Sequence, residues 1–468
     1  MPFQFSSLCE LLNGLDKNRT KSSSVGKISD LDTKIVVDWF NKHNGIIPRR
    51  GPEAVAFLSC LFPERSPDRV FSMQAGQLER IIQRVQCLGS SRMEVLQSWK
   101  ASDGMDFASC VENVMAVTDC ESRHGPNVTL EELNDILDQI AAMSAFSSVR
   151  LRQKIKEKYG RSIRADDLLR RIFQVLKSTE AEWMVRMLSK SYSPVCVPEL
   201  LAMRQFHFLL PDLLTFQNSL EAAFQLLDEP MIRCMPFQAE RDAERELREI
   251  ANNDLKPQVG VMVTQTVYEK ARSIKHCCQL AVHRRMSVER KYDGEYCQIH
   301  IDLNKARDCI RIFSKSGRDS TSDRIGLHRI LRDSLELDNA SCKITKQCIL
   351  EGELLVWNDR DERIEPFYKI RKHVKRSGRS LGTSLDSPIN PSEHLMIMFY
   401  DILLLDDTVC IRESHDRRRG LLESVHCIPG QADIGTREVI DFSHLLMRQN
   451  CLVKHSLKLL HNGGKGLC

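Results

Sequence analysis

The first half of the chain repeats apolar residues with the period of an α-helix, from Leu31 to about Leu227. Between Thr129 and Met143 apolar residues share one helix face, and Thr129 with Glu132 has the spacing of a capping box. Such stripes are typical of core packing, so the pattern predicts an all-α amino-terminal region. Two further stripes follow: Leu168, Leu169, Ile172, Phe173 and Leu176, then Trp183, Met184, Met187 and Leu188.

The pattern changes near residue 235, where Pro230 and Pro236 bracket a break. An acidic-basic helix is predicted over 238–252, and strand signals dominate after it. We therefore predict a helical domain over residues 1–235 and an α+β domain over residues 236–468, built on an antiparallel or mixed sheet. The strand signals are one-by-one alternation over 297–302 and 310–315 and continuous apolar runs over 348–357 and 395–405.

Composition narrows the class of protein. The chain has 468 residues, enough for about three domains. Hydrophobic residues make up 42% and charged residues 28%, which is typical of a soluble globular protein and speaks against a disordered or a membrane protein. The apolar run over 395–405 contains Asp401 and is too short to span a bilayer. A net charge of +4 does not by itself indicate nucleic acid, so a polyanion site requires local clustering.

Basic residues do cluster in two places. A solvated surface is the ordinary interpretation of such a run, and contact with phosphates is the alternative. The first cluster lies on predicted helices, and the second lies in a stretch without acidic residues. Their members are Arg150, Arg152, Lys154, Lys156, Lys158, Arg161, Arg164, Arg170 and Arg171, then Lys369, Arg371, Lys372, Lys375, Arg376 and Arg379.

The sharpest local feature is the segment 289–296, which reads ERKYDGEY. It predicts a strand, an Asp-Gly turn in which Gly294 is able to take positive φ, and a second strand. A lysine nucleophile needs a neutral amine, so its site must supply positive charge, a metal or burial, whereas Asp293 and Glu295 act in the opposite direction. Taken alone, the segment is better explained as a hairpin turn with an exposed lysine at position 291.

The order of four segments changes that interpretation. KYDGEY at 291–296, FSKSGR at 313–318, CILEGEL at 348–354 and YDILLL at 400–405 follow one another on predicted strands. Together they resemble the nucleotidyltransferase motifs of eukaryotic, fungal-type ATP-dependent DNA ligases. The helical first half is similar to the DNA-binding domain of these enzymes, especially the end-joining ligase IV type. The specific part of the resemblance covers residues 256–407.

The resemblance implies a helical DNA-binding domain followed by a nucleotidyltransferase domain of the ATP-grasp-like adenylation type. It implies that Lys291 attacks the α-phosphate of ATP, that the AMP passes to the 5′-phosphate of a nick, and that the 3′-hydroxyl displaces it. ATP and Mg²⁺ are the implied cofactors, and nicked or broken duplex DNA is the implied substrate. A repair-scaffold protein is a further implied partner. The implied location is the nucleus, and the implied role is DNA repair, recombination or replication.

The resemblance also assigns site residues. Lys291 is implied to be the catalytic residue, and Glu353 is implied to engage the metal and the ribose. A metal partner is also physically sensible there, since an unpaired carboxylate among leucines is costly. Glu289 is implied to contact adenine and Tyr400 to stack on it. A surface carboxylate and a core aromatic are the plainer alternatives for those two. The full set of implied nucleotide-binding residues is Glu289, Arg290, Tyr292, Tyr296, Lys315 and Tyr400.

The sequence departs from the family in three places. Tyr296 and Lys315 stand where the family has arginine, and neither side chain forms the planar guanidinium fork, which weakens the ribose or nick-phosphate contacts expected there. The segment 462–468 resembles the beginning of the family's EGLVLK motif, with Lys465 in place of the metal-binding glutamate. We therefore expect a chain that is truncated within the nucleotidyltransferase domain, lacks the OB-fold and is impaired in the first step. Two alternatives stay open: a catalytically defective DNA-binding paralogue, and another lysyl-nucleotidyl transferase such as an RNA ligase or a capping guanylyltransferase.

Overall fold

The structure is a computed structural model, and it divides into two compact units, residues 1–256 and 257–468. The segment 462–468, which resembles a late ligase motif, lies outside the described residues. The structure describes residues 2–21, 28–101, 105–119, 127–160, 164–252, 255–266, 268–281, 284–376, 379–380, 390–425 and 427–441.

The first unit is built from α-helices, as the periodicity predicts. Its core is one cluster of buried aromatic and aliphatic side chains, in which Phe57 stacks against both Trp39 and Phe206. The helices are α1 Phe5–Lys21, α2 Asp30–His43, α3 Gly51–Leu61, α4 Ala75–Val85, α5 Ser90–Gln97, α6 Phe107–Ala116, α7 Leu130–Ala142, α8 Val149–Tyr159, α9 Ala165–Val175, α10 Ser178–Leu188, α11 Glu199–Phe206, α12 Leu210–Phe216, α13 Leu220–Leu227, α14 Pro230–Arg233 and α15 Arg241–Ala251.

The start of α7 follows directly from its sequence. The Thr129 side chain accepts a hydrogen bond from the Glu132 backbone N–H, and the Glu132 carboxylate accepts one from the Thr129 N–H. This is the capping box that the spacing predicts, and it satisfies two of the otherwise unpaired N–H groups of the first turn. The stripe that contains Trp183 and Met184 lies in the core, as expected.

The first unit extends past the boundary drawn at 235/236. Helix α15 packs on the helical core through Leu247, and Ala251 and Leu255 are buried in the same cluster. Arg248 adds polar contacts, because it pairs with Asp212 and donates to the Phe208 carbonyl oxygen. The acidic-basic helix therefore belongs to the helical unit, which ends at residue 256.

Two carboxyl groups lie side by side between α6 and α10. Burial raises the pKa of Glu112 to about 7, and the charge and hydrogen bond of Glu182 add to this effect. Asp16 of α1 raises it further, whereas Arg186 of α10 lowers it. Since two adjacent carboxylates repel when both are charged, the pair favours a state that holds one proton.

The Glu112→Gln substitution is expected to stabilise the protein in a pH-dependent way. The folded-state pKa of Glu112 lies above its ordinary value of 4.5, so the stability that its protonated form provides is complete below pH 4.5 and lost as the pH rises through 7. Allowing for solvent at this half-buried site, the variant should exceed the wild type by about 1 kcal/mol at pH 8 and match it at pH 5. Thermal unfolding at both pH values measures this, with Glu131→Gln on the exposed side of α7 as the control. An equal difference at both pH values contradicts the shared proton.

The second unit is α+β. A buried apolar cluster lies on one face of its main sheet and includes Leu327 and Leu331 of α17 and Leu422 of α19. The helices are α16 Ile274–Leu280, α17 Gly326–Ser334, α18 Ile370–His373 and α19 His415–Glu423. The strands are β1 Arg285–Glu289, β2 Glu295–Asp302, β3 Ile310–Phe313, β4 Gln347–Asn358, β5 Arg363–Ile364, β6 Lys375–Arg376, β7 Arg379–Ser380, β8 Glu393–Leu405, β9 Ala432–Ile434 and β10 Arg437–Asp441.

The strands form a mixed six-stranded sheet and two small pairs. The sheet has the order β3-β2-β4-β8-β9, with β5 attached to β4, and only the β8–β9 pairing is parallel. Strand β1 pairs with β10, and β6 pairs with β7. The mixed α+β fold predicted from the sequence is thus confirmed. Within the described residues the strands close into no barrel, and no helix is long and apolar enough to cross a bilayer.

Candidate active site

Lys291 lies in a segment that crosses from one sheet to another. Strand β1, just before it, pairs with β10, whereas β2, just after it, pairs with β3 and β4. The predicted hairpin over this segment is therefore wrong, because its two strands belong to different sheets. The crossing leaves Lys291 exposed beside the edge where β2 begins.

Gly294 is required at the crossing because of space rather than because of its φ angle. A Cβ atom on this residue would lie 2.3 Å from the Leu354 carbonyl oxygen and 2.7 Å from the Glu353 Cγ. The Asp-Gly turn suggested a positive φ at Gly294, but the residue does not adopt one. The absence of a side chain lets the segment that carries Lys291 press directly against β4.

Glu353 is the half-buried carboxylate toward which the predicted site residues converge. Burial raises its pKa above the ordinary value, and the positive charges of Lys291 and Lys315 and the Gly294 N–H oppose that rise. Glu353 lies opposite Tyr296 on the neighbouring strand. Three separate stretches of the chain thus meet here, and they contribute Lys291 and Tyr296, Lys315, and Glu353.

An irregularity in β8 brings Tyr400 to the same face of the sheet. Glu351 pairs with Asp401 and Gly352 with Phe399, so Tyr400 is an extra residue in the ladder. Burial and the nearby Glu351 carboxylate both raise the pKa of the Tyr400 phenol. A bulge commonly redirects a side chain in this way, and here it places an aromatic ring beside the acidic residues of β4.

Glu289 lies at the end of β1 and is mostly shielded from solvent. Its carboxylate accepts a hydrogen bond from the Ser287 hydroxyl at 2.9 Å, and it lies 3.5 Å from His415 and 3.9 Å from Arg419. The surface-carboxylate alternative therefore does not describe it well, because two basic side chains of α19 approach it.

Arg290 and Tyr292 contact each other. The Arg290 guanidinium lies 4.8 Å from the centre of the Tyr292 ring, a cation–π distance. The ring itself packs against the small cluster that contains Met398, and burial raises the pKa of its phenol. The two side chains thus line the crossing segment on the β1 side, and Tyr292 is largely a packing residue.

Sequence reasoning missed the arginines of α19. Arg418 forms a two-pronged ion pair with Asp401, with Nε and Nη2 each 2.8 Å from a carboxylate oxygen. The buried Arg419 donates to the Gly435 carbonyl oxygen and to Glu423. The signal was present in the run Arg417-Arg418-Arg419 after the YDILLL segment, since a half-buried aspartate in a strand requires a partner.

The metal prediction stays with Glu353. Within the described part of the chain, no group of three or more His, Cys, Asp or Glu side chains is placed to hold a metal ion. Mg²⁺ bound together with a nucleotide needs fewer protein ligands, because phosphate oxygens and water complete its shell. A single half-buried carboxylate next to two lysines fits that arrangement.

The second basic cluster is not uniform. Lys369 is an ion-pair residue, because its ammonium group contacts the buried carboxylates of both Glu365, at 2.9 Å, and Glu393. Arg371 and Lys375 are exposed. Lys369 is therefore better explained as an ion-pair residue than as a phosphate contact. Phosphate contact stays a prediction for the exposed residues.

The first basic cluster is divided in the same way. Lys158 is bonded to Asp135 at 2.7 Å, and Lys154 lies 3.7 Å from Asp138. Arg161 lies outside the described residues. The remaining exposed basic side chains of the cluster are Arg150 and Lys156 on α8, Arg164 just before α9, and Arg170 and Arg171 on α9.

Comparisons with known proteins identify a family. A family model described as the ATP dependent DNA ligase domain matches residues 266–447, and one described as the DNA ligase N terminus matches residues 4–195. The two matches lie one in each unit and include Lys291, Glu353 and Tyr400. The chain belongs to the ATP-dependent DNA ligase family.

Individual relatives are distant in sequence. DNA ligase 4 of Dictyostelium discoideum is 21% identical over 86% of this chain and 35% of its own length. DNA ligase 4 of Coprinopsis cinerea is 24% identical over 93% of this chain and 38% of its own. The chain thus spans about a third of these relatives. A solved structure of a mycobacterial DNA ligase D complexed with ATP and MES is 18% identical, covers 39% of this chain and 46% of that one, and has a TM-score of 0.27, too low for a statement about the fold.

Proposed function

We propose that this chain carries the DNA-binding and adenylation parts of an ATP-dependent DNA ligase that seals nicks or breaks in the nucleus. The observation that supports it most is the convergence of Lys291, Lys315 and Tyr400 on the half-buried Glu353 of β4. The relatives named DNA ligase 4 support the assignment to a DNA ligase.

In the proposed reaction, Lys291 Nζ forms a bond to the α-phosphorus of ATP, the bond to the β-phosphate oxygen breaks, and pyrophosphate leaves. The amine proton is lost to solvent, which is open at Lys291. The AMP then passes to a 5′-phosphate, and a 3′-hydroxyl displaces it to join the strands. Positioning and charge neutralisation supply most of the rate of such a transfer.

The charges around the crossing segment suit this chemistry. A second ammonium group, that of Lys315, lies close enough to Glu353 to act on the same carboxylate. Positive charge at this position attracts the phosphates of the nucleotide. Mg²⁺ bound with ATP would be held by Glu353 and would counter the charge on the phosphates.

The proposal is tested by incubating the protein with α-labelled ATP and Mg²⁺ and measuring acid-labile label on the polypeptide. We expect label with ATP, its removal by pyrophosphate, and its transfer to nicked duplex DNA. Labelling by GTP in place of ATP would favour a capping-type transferase. No label, with binding to nicked DNA retained, would overturn the enzymatic proposal for this chain and leave the defective paralogue.

Duplex DNA is proposed to contact the exposed basic side chains of both units. Arg371 and Lys375 supply positive charge in the second unit, and Arg170 and Arg171 supply it in the first. Neither pair is tied to a carboxylate in the ion pairs that the structure describes. Contacts of this kind bind the phosphates without reading sequence and weaken as salt rises.

Lys369 and Arg371 are expected to respond differently to substitution. Lys369→Met leaves the buried Glu365 and Glu393 without their shared cation and should lower the free energy of unfolding by about 2 kcal/mol. Arg371→Gln should leave unfolding unchanged, weaken binding to nicked duplex DNA and reduce the salt dependence by about one counterion. Thermal unfolding and binding titrations at several salt concentrations measure both. Equal effects of the two variants on DNA binding at constant stability would contradict the division of the cluster.

A further inference from the structure

One row of polar side chains runs along the sheet face that carries Glu353. Tyr296, Gln298 and His300 occupy alternate positions of β2, so they point to the same side. The segment 260–265 lies over this row, and we refer to it as the strap. Its contacts follow the strand in order: Gly260 contacts His300, Val263 contacts Gln298, and Gln265 contacts Tyr296.

The inner end of the row is fixed by a neutral histidine. Burial lowers the pKa of His300 to about 3, so the ring is uncharged near neutral pH. Its Nδ1 accepts the Gly260 N–H at 3.1 Å, and its Nε2 therefore carries the proton and donates to Gln298 Oε1 at 2.9 Å. This tautomer follows from the two contacts together.

Gln298 transmits this arrangement along the row. Its Oε1 also accepts the Val263 N–H at 2.7 Å, which fixes the amide so that Nε2 faces the other way. That Nε2 donates to the Val263 carbonyl oxygen at 3.0 Å and reaches both the Tyr296 oxygen and Glu351 Oε1 at 3.1 Å. Each polar atom of the Gln298 side chain is thus engaged, as a fully buried amide requires.

The outer end of the row is a tyrosine–glutamate pair. The Tyr296 hydroxyl donates to Glu351 Oε1, and it also lies within reach of the Gln265 side chain. Glu351 lies two residues before Glu353 on the same face of β4, and next to the bulge that carries Tyr400. The donor capacity of the Tyr296 phenol is therefore already used inside the protein.

We propose that Tyr296 and Glu351 are positioning residues that hold β4 and the Tyr400 bulge in place for adenylation, and that Tyr296 does not bind the ribose. The proposal rests on the proposed function and replaces the nucleotide contact expected for Tyr296 from its place in the first motif. Arginine at this position would carry two or more donors, whereas tyrosine has one and gives it to Glu351.

The test compares nucleotides as well as variants. Tyr296→Phe keeps the ring and removes the donor, so the rate of Lys291 labelling at saturating ATP should fall roughly tenfold. The preference for ATP over 2′-deoxy-ATP and 3′-deoxy-ATP should stay at its wild-type value, because no ribose contact is lost. Tyr268→Phe alters an exposed tyrosine of the same unit and serves as the matched control. Glu351→Gln retains an acceptor oxygen for the phenol and should keep most of the activity, whereas Glu351→Leu should resemble Tyr296→Phe.

Two results would overturn the proposal. One is a Tyr296→Phe variant that labels at the wild-type rate. The other is a variant whose rates with ATP and the deoxy nucleotides become equal, which is the behaviour of a lost ribose contact. Circular dichroism checks folding, and if Tyr296→Phe does not fold, the comparison of Glu351→Gln with Glu351→Leu decides the question. If the wild type does not label, the proposed function fails. Equilibrium dialysis with α-labelled ATP, competed by the two deoxy nucleotides, then compares ribose recognition in the wild type and in Tyr296→Phe. Absence of ATP binding overturns both proposals.

Discussion

Lys291→Arg is expected to abolish acid-labile labelling by α-labelled ATP, a loss of roughly a thousandfold or more. Arginine keeps the positive charge of the crossing segment, so ATP binding and folding should be retained. Its guanidinium does not give up a proton near neutral pH and cannot form the bond to phosphorus. Lys291→Ala removes the amine as well as the charge and should lose the label to the same extent.

The control for this substitution is Lys346→Arg in the same unit. Lys346 is exposed and paired with Asp407, away from Glu353, so its conversion to arginine should leave labelling unchanged. Label that persists in Lys291→Arg would show that another amine reacts, and Lys315 would be the first candidate because it acts on the same carboxylate. That outcome would reassign the nucleophile to another lysine, and the adenylation proposal would still stand.

Local signals in the sequence are sufficient for much of the helical unit. The cap at Thr129 and Glu132 depends on residues three apart, and the stripe around Trp183 depends on one helical period. Both kinds of signal are complete within a few residues of chain, so the sequence predicts them correctly. The alternation over 297–302 works in the same way and places Gln298 and His300 on one face.

Pairings between distant strands account for what could not be predicted. Whether β1 joins β2 or β10 depends on residues near position 440, and the Asp-Gly pair at 293–294 favours a hairpin when only its neighbours are considered. The tie between Tyr296 and Glu351 depends on the register between β2 and β4, which no local pattern contains. The order of the four motifs pointed to Lys291 and Glu353 because it reflects a shared fold, in which such distant strands pair.

The basic cluster at 369–379 shows that charge patterns in the sequence are limited in the same way. Its composition contains no acidic residue, so the sequence treats all its members alike. The fold brings Glu365 and Glu393 to Lys369 from either side, and these carboxylates are buried while Arg371 is exposed. A run of like charges therefore predicts a surface, but only the tertiary structure separates the residues that stabilise it from those free to bind phosphate.

Gly294→Ala is expected to damage the candidate site more than any other conservative change outside Lys291. The added Cβ would lie 2.3 Å from the Leu354 carbonyl oxygen, a backbone atom that cannot rotate away, and 2.7 Å from the Glu353 Cγ. The crossing segment must therefore shift away from β4 and carry Lys291 with it. Since a displacement of about 1 Å can cost a hundredfold in rate, we expect labelling to fall on the order of 100-fold.

Gly420→Ala provides the matched comparison for Gly294→Ala, because it makes the same change on α19, where a Cβ meets nothing within 4 Å. It should leave labelling unchanged and stabilise the protein by up to about 1 kcal/mol, since alanine favours a helix interior. The shift of the crossing segment away from β4 also predicts an effect on stability. Gly294→Ala should lower the labelling rate and the melting temperature together, because β2 and β4 are separated at the site of their pairing. Normal labelling in a folded Gly294→Ala protein would mean that Lys291 does not depend on its close approach to β4, and the geometric basis of the adenylation proposal would fail.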